Sequence, residues 1–150
     1  MAKQPKPDPF LETFKEAVPE LYASIINDYN FSIIFDPEWE ESFELRSDDC
    51  LISIYLDRDN SISSDIKPAR KEQVPKVQYY STIGLGQLIN FLDPEAKFKY
   101  GVCPTPERLR EEIQRFAELT RQYCTPMMEG DFTKWLELKE KQLKAAGVPF

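Results

Sequence analysis

The stretch that decides the fold is Cys50–Ile66, which reads CLISIYLDRDNSISSDI. Its first part, Cys50–Leu56, carries branched apolar side chains at alternate positions, which is the period of a β-strand. Ser61–Ile66 repeats the alternation with isoleucine and serine. The polar run Asp57–Asn60 between the two parts has the composition of a tight turn. We therefore predict two antiparallel strands joined as a hairpin.

The segments on both sides of this hairpin extend the sheet. Phe31–Asp36 (FSIIFD) is a short apolar run, and Phe43–Ser47 alternates apolar with charged residues, so both are predicted to be strands. Lys67–Lys76 contains two prolines and is predicted to be a loop. Val77–Ser81 (VQYYS) is a candidate edge strand. An antiparallel meander follows from this order of segments.

The N-terminal segment has the periodicity of a helix. Apolar residues recur at intervals of three and four over residues 9–29. Asp8 is placed to cap this helix, and Pro9 suits its first position. Pro19 lacks a backbone donor and clashes with the preceding turn, so we predict one broken helix over 9–29.

Helical patterns return in the C-terminal part of the chain. Leu85–Leu92 (LGQLINFL) is predicted to be a short apolar helix. Thr105–Glu107 provides a cap, a proline and a first-turn acid in the order that begins a second helix. Asp131 is expected to cap a final helix that continues to about Ala146, where Gly147 stops it.

The order of these elements predicts an α+β fold. We expect an antiparallel β-meander of about three to five strands, flanked by an N-terminal helix and two to three C-terminal helices. A chain of 150 residues is the usual length of one domain, and no interior linker is long enough to divide it. Residues 1–150 are therefore predicted to form a single domain, with residues 1–8 as a flexible leader.

The composition excludes several kinds of site. The chain has 26 acidic and 19 basic residues, no histidine, and a formal net charge of −7. Without histidine, neither the Ser-His-Asp nor the Cys-His nucleophile arrangement can be assembled within the chain, and zinc sites that use imidazole are excluded. A negative net charge also disfavours binding to nucleic acid, where neutralisation of phosphates supplies most of the affinity.

The cysteines and the N-terminus indicate a reducing compartment. Cys50, Cys103 and Cys124 are an odd number at wide spacings, without a Cys-x-x-Cys pair, so we expect reduced, non-catalytic thiols. No apolar run of signal-peptide length follows Met1–Phe10, and no run approaches the length of a membrane span. We predict a cytoplasmic protein that does not contact a membrane.

Two short motifs fall short of known ligand sites. Asp57–Ser61 has the carboxylate spacing of a calcium loop, but Ile62 stands where glycine is required and Pro68 where glutamate is required. Gly84–Gly86 precedes an apolar helix, yet Ile89 occupies the place of the third glycine of a dinucleotide fingerprint. We predict neither a metal nor a cofactor.

The basic residues do not predict a nucleic-acid site either. The 67–76 loop contains four bases and is followed by Tyr79–Tyr80, a combination that could bind a single strand by charge and stacking. Four charges on a net-acidic chain are too few, so no nucleic acid is expected as a partner.

The negative charge is concentrated in residues 36–59, where nine acids face two bases, a difference equal to the net charge of −7. Trp39 lies within Asp36–Glu41 (DPEWEE). Tryptophan often anchors protein interfaces, and carboxylates around it attract a basic partner. The alternative is a tryptophan that covers the edge of the core beneath a solvated loop. The candidate partner-binding residues are Glu38, Trp39, Glu40, Glu41, Asp48, Asp49, Asp57 and Asp59.

A resemblance supports a binding role. Ile52–Arg58 (ISIYLDR) is combined with Tyr123, the run Met128–Phe132 (MEGDF) and Trp135. The chain thereby resembles small uncharacterised bacterial α+β proteins with a hydrophobic-x-Gly-Asp-Phe turn between two C-terminal helices. In size, acidity and layout it is also similar to bacterial immunity proteins, which bind and silence a cognate toxin. The resemblance implies no catalytic residue.

Three hypotheses about function follow. The first is a non-enzymatic protein-binding module of the immunity or inhibitor kind, which engages a basic partner through the acidic surface around residues 36–59. The second is a small structural or assembly subunit, monomeric or homodimeric, that pairs its edge strand or its C-terminal helices. The third is a histidine-free enzyme with a buried carboxylate beside Tyr55, Tyr79 or Tyr80. Short runs of acids between strands usually lie in water, which favours the non-enzymatic hypotheses.

Overall fold

The computed structural model describes residues 8–147, so the predicted leader lies outside the described residues except for Asp8. Over these residues two α-helices come first, five strands follow, and three further α-helices end the described part of the chain. In order they are α1 (Pro9–Leu21), α2 (Ala23–Asp28), β1 (Ser32–Ile34), β2 (Ser42–Arg46), β3 (Cys50–Leu56), β4 (Ile62–Pro68), β5 (Ile83–Gly84), α3 (Leu85–Leu92), α4 (Pro106–Met128) and α5 (Thr133–Ala145).

The strands form one antiparallel sheet in the order β1-β2-β3-β4-β5, so the predicted meander and the α+β class are confirmed. The central hairpin lies where the sequence predicts it, with Leu56 paired to Ile62. Asn60 in its turn has φ 64°, a left-handed conformation that asparagine tolerates.

The predicted edge strand Val77–Ser81 is wrong. Val77–Tyr79 forms a 3-10 helix instead. The Tyr79 N–H donates to the Lys76 carbonyl at 2.9 Å, and the Tyr80 N–H donates to the Val77 carbonyl at 3.0 Å. These local bonds use the donors of Tyr79 and Tyr80 that a strand would offer to a neighbour, and the fifth strand is the two-residue Ile83–Gly84.

The N-terminal helix begins and breaks as predicted. Asp8 Oδ1 accepts the N–H groups of Phe10 and Leu11 at 3.0 and 3.3 Å, and Pro9 takes the first helical position. The interruption falls at Tyr22, three residues after Pro19. Hydrogen bonds of helical spacing flank this position, from the Tyr22 N–H to the Val18 carbonyl at 3.0 Å and from the Ile26 N–H to the Tyr22 carbonyl at 2.9 Å.

The junction between α4 and α5 differs from the prediction by one residue. Gly130 has φ 95° and ends α4 as expected. The cap position of α5 is Phe132 rather than Asp131, and the helix starts at Thr133. Asp131 lies one residue before this cap position, and its Oδ1 accepts the N–H of Thr133, the first residue of the helix, at 3.0 Å.

The helices cover one face of the sheet. The inward strand residues are almost fully buried: Phe43, Leu45, Ile52, Ile54, Ile62 and Ile66. Trp135 of α5 has no exposed surface, and its indole Nε1 donates to the Ile66 carbonyl at 3.0 Å. The opposite face presents mostly polar side chains, among them Glu44, Ser53 and Asp65. The candidate residues lie at the ends and on this polar face.

Candidate functional site

The predicted acidic surface is divided by the register of the sheet. Ser42 pairs with Tyr55, whereas Arg46 pairs with Leu51 at the other end of the same two strands. The 36–41 loop and the 57–60 turn therefore meet at one end, which we call the Trp39 end. Asp48 and Asp49 lie at the opposite end, roughly 15 Å away along strands that rise about 3.3 Å per residue. Six of the eight candidate residues meet at the Trp39 end: Glu38, Trp39, Glu40, Glu41, Asp57 and Asp59.

Two consecutive turns hold the 36–41 loop. Asp36 Oδ1 accepts the Glu38 N–H, and the Asp36 carbonyl accepts the Trp39 N–H, both at 2.9 Å. The Trp39 carbonyl then accepts the Ser42 N–H at 3.2 Å where β2 begins. Pro37 favours the first turn because its φ is fixed at the value such turns use. The backbone is thus ordered while the indole points outward.

Trp39 is 67% exposed, so it does not cover the core. Its side chain separates two hollows that share Ser42 and Tyr55. The hollow on the β1 side has a volume of about 280 Å³ and is also lined by Ile34, Asp36, Phe43, Glu44 and Ser53. The hollow on the turn side has a volume of about 360 Å³ and is also lined by Glu41, Leu56, Asp57 and Ser63.

Each hollow combines an aromatic wall with two carboxylates. Asp36 and Glu44 border the β1-side hollow, and Glu41 and Asp57 border the turn-side hollow. Aromatic rings attract cations through their negative faces, and carboxylates pair with ammonium or guanidinium groups. A lysine or arginine side chain fits the chemistry of either hollow.

Three acids of the Trp39 end have partners within the chain. Glu44 Oε2 lies 3.6 Å from Arg46 Nη2. Glu40 forms a 2.8 Å ion pair with Lys15 of α1. Asp59 Oδ1 accepts the Ser61 hydroxyl at 2.6 Å and the Ser61 N–H at 3.1 Å. These two hydrogen bonds lower the pKa of the Asp59 carboxyl and keep it ionised. Glu40 thus stabilises the contact with α1, whereas Asp59 stabilises the hairpin turn.

The opposite end of the sheet is held by Arg70. Its Nη2 lies 3.5 Å from Asp49 Oδ1, and its Nε donates to the Asp48 carbonyl at 3.1 Å. Gln73 adds a 2.8 Å bond to the Asp49 carbonyl. A cavity of about 490 Å³ opens here, lined by residues that include Tyr29, Arg46 and Met128. Asp49 therefore anchors the 69–73 segment. Arg70, one of the four basic residues of the 67–76 segment, is engaged in this contact.

Four residues that line the hollows at the Trp39 end are absent from the predicted partner-binding set: Ile34, Asp36, Glu44 and Tyr55. Tyr55 projects from the polar face of β3, a position that the alternation of Cys50–Leu56 indicates in hindsight. Asp36 and Glu44 belong to the acidic stretch 36–59 but not to the predicted partner-binding set. Ile34 is 43% exposed and lines the β1-side hollow. No sequence signal distinguishes Ile34 from a buried strand residue, because its exposure follows from the edge position of β1.

The polar face also carries a half-buried carboxyl, that of Asp65. Burial raises the pKa of this group, and the Thr82 and Ser53 hydroxyls and the Lys67 ammonium offset part of the effect. Asp65 Oδ1 is buried without a hydrogen-bond partner among residues 8–147. In the sheet Asp65 lies opposite Ser53, two residues before Tyr55 on β3, and it does not line either hollow.

The three cysteines are buried and reduced. Burial raises the pKa of Cys124 to about 12 and raises that of Cys50 well above its ordinary value. Asp49 adds to the Cys50 effect, after burial and Cys124. Over residues 8–147, no three ligand side chains come together as a metal site would require, and no helix combines the length and the apolar character of a membrane span.

Neither known protein families, nor curated proteins, nor solved structures give a significant match to this chain.

Proposed function

We propose that the protein is a non-enzymatic binding protein of the immunity or inhibitor kind, which engages a basic protein partner through the Trp39 end. The residues that contact the partner are Glu38, Trp39, Glu41 and Asp57, together with Tyr55, Asp36 and Glu44. Asp48 and Asp49 are not part of this contact, because they lie at the other end of the sheet.

One observation carries the proposal: Trp39 is largely exposed on an ordered loop between two hollows that carboxylates border. A large aromatic side chain that leaves about two thirds of its surface in water contributes little to the core. The same side chain contributes much to an interface, where tryptophan is enriched among the residues that dominate binding. Tyr55 widens this aromatic surface.

The charge of the Trp39 end supports a basic partner. Asp36, Glu38 and Glu41 are exposed, and only Arg58 opposes them within the loop and the turn. A surface of one sign attracts an oppositely charged protein and raises association rates by roughly 10–10³-fold at low salt. Arg or Lys side chains of the partner then reach the two hollows.

Capture from the native host tests this proposal. The tagged protein serves as bait beside three variants: Trp39→Ala, the double variant Glu38→Gln/Glu41→Gln, and a control Asp48→Asn/Glu129→Gln. The control removes two exposed charges near the opposite end of the sheet, where Gly130 contacts Asp49.

We expect a basic protein that wild type and control retain, that both Trp39-end variants lose, and that salt elutes. A partner retained equally by all four baits would contradict the proposed surface.

A further inference from the structure

β1 is an open edge of the sheet. Ser32, Ile33 and Ile34 pair only with β2 in the strand order, and Ile33 and Ile34 are 37% and 43% exposed. Within residues 8–147, no other segment forms a hydrogen bond with the backbone of this strand. Proteins usually protect such edges by keeping them short or with charges, prolines or bulges; β1 is short, at three residues, but Ser-Ile-Ile contains no charge and no proline.

The other edge of the sheet is protected. β5 has only two residues and leads directly into α3. Next to it, Lys139 of α5 donates to the Ser81 hydroxyl and the Thr82 carbonyl at 2.8 and 2.9 Å. A helix thus covers the approach to β5, whereas the approach to β1 is left to solvent.

Binding spaces flank the open edge on both faces. On the core side, Ile33 borders an apolar groove of about 290 Å³ between β1 and α1, which Phe35 and Pro19 also line. On the polar side, Ile34 borders the β1-side hollow next to Trp39. Lys15 at the rim of the groove is paired with Glu40, and the other residues that line the groove are apolar.

We infer that β1 receives an extended segment of the basic partner as a sixth, added strand. This inference rests on the proposed function and specifies how the partner is held. Alternate side chains of an added strand point to opposite faces, about 4.8 Å outside β1. Apolar side chains on one face enter the groove beside Ile33 and Phe35. Lysine or arginine side chains on the other face extend across Ile34 toward Asp36 and Glu44.

Charge selects a basic partner over a second copy of this chain. Two copies paired through β1 would repel each other, because each chain carries a net charge of −7. A segment that alternates basic and apolar residues meets complementary chemistry on both faces. Backbone hydrogen bonds then supply affinity, and the two binding spaces supply specificity.

Capped peptides test the inference with the full chain. The probe alternates lysine or arginine with valine, and a control of the same composition places all the basic residues before all the valines. Two further probes carry N-methyl groups on alternate amides, one on the basic residues and the other on the valines. The amides of alternate residues point to opposite edges of a strand, and only one edge of the added strand faces β1. One N-methylated probe should therefore lose about tenfold or more in affinity, while the other keeps the affinity of the unmodified probe.

The outcomes separate the two proposals. Preference for the alternating probe, one sensitive N-methylated probe, and slowed amide exchange at Ser32–Ile34 would support strand addition. Equal binding of the alternating and block peptides, lost in Trp39→Ala, would overturn strand addition and leave the proposed function standing. Binding that Trp39→Ala does not weaken would contradict the proposed function. A dimer that forms with rising protein concentration would overturn the choice of partner.

Discussion

The two tryptophans of this chain provide a matched test of what Trp39 does. Trp135 is completely buried, whereas Trp39 is 67% exposed. We consider the same conservative change at both positions, Trp135→Phe and Trp39→Phe. If Trp39 serves a partner rather than the fold, the two changes should differ strongly in their effect on the free energy of unfolding.

The structure sets the size of each effect. Trp135→Phe removes the 3.0 Å hydrogen bond to the Ile66 carbonyl, and a buried acceptor left without its donor costs about 1–3 kcal/mol. The smaller ring also leaves a void next to Phe132, whose ring centroid lies 5.8 Å from that of Trp135. Together we expect about 3 kcal/mol, or a fall of roughly 6–12 °C in the melting temperature. Trp39→Phe should change stability by no more than about 0.5 kcal/mol.

Urea unfolding followed by circular dichroism measures both values, and acrylamide quenching of fluorescence reports exposure. Trp39→Phe leaves Trp135 as the only tryptophan, so its emission should resist quenching. A Trp39→Phe variant as unstable as Trp135→Phe would refute the reasoning, because Trp39 would then belong to the core in solution.

Three further changes test other parts of the structure. Burial raises the pKa of the Asp65 carboxyl, so the protonated side chain stabilises the fold in acid, and this contribution is lost as pH rises through the folded-state pKa. Asp65→Asn should therefore raise the free energy of unfolding in urea near pH 7 and leave it unchanged near about pH 3. Gly130→Ala places a side chain at φ 95° and should lower the free energy of thermal unfolding by about 1–2 kcal/mol. Most of this loss should remain in the double variant with Asp49→Ala, which removes the neighbouring side chain, because the strain lies in the backbone. Gly101→Ala places a methyl group against the buried carboxylate of Glu112, and calorimetry should show about 1–3 kcal/mol of destabilisation. Wild-type stability in either alanine variant would contradict the close approach of Gly101 to Glu112 or the backbone conformation of Gly130 beside Asp49.

Sequence patterns predicted correctly those helices and strands whose periodicity is a property of the segment itself. Cys50–Leu56 and Leu85–Leu92 have the predicted bounds, because strand alternation and an apolar helical run are properties of the segment itself. The predicted strand at Val77–Ser81 is wrong: its aromatic residues have a high strand propensity, but the backbone forms local hydrogen bonds as a 3-10 helix. Propensity at such short lengths is overridden by how the segment packs, here against α5.

The candidate site could be predicted only in part, because its assembly depends on register. Along the sequence, Asp48 is closer to Trp39 than Asp57 is. Antiparallel pairing reverses this order, since Ser42 lies opposite Tyr55 and brings the 57–60 turn beside the tryptophan. The exposure of Ile34 likewise follows from the position of β1 in the sheet, which composition does not contain.

The most direct test of the account is the association rate of the captured basic partner over a series of salt concentrations, followed in a stopped-flow instrument by the change in tryptophan fluorescence. Three proteins that all keep Trp39 as the reporter are compared: wild type, Glu38→Gln/Glu41→Gln and the control Asp48→Asn/Glu129→Gln. The account predicts a rate for wild type and control that falls by about tenfold or more as salt rises, and a weaker salt dependence for Glu38→Gln/Glu41→Gln. A rate indifferent to salt, or one that the control lowers as much as Glu38→Gln/Glu41→Gln, would contradict it.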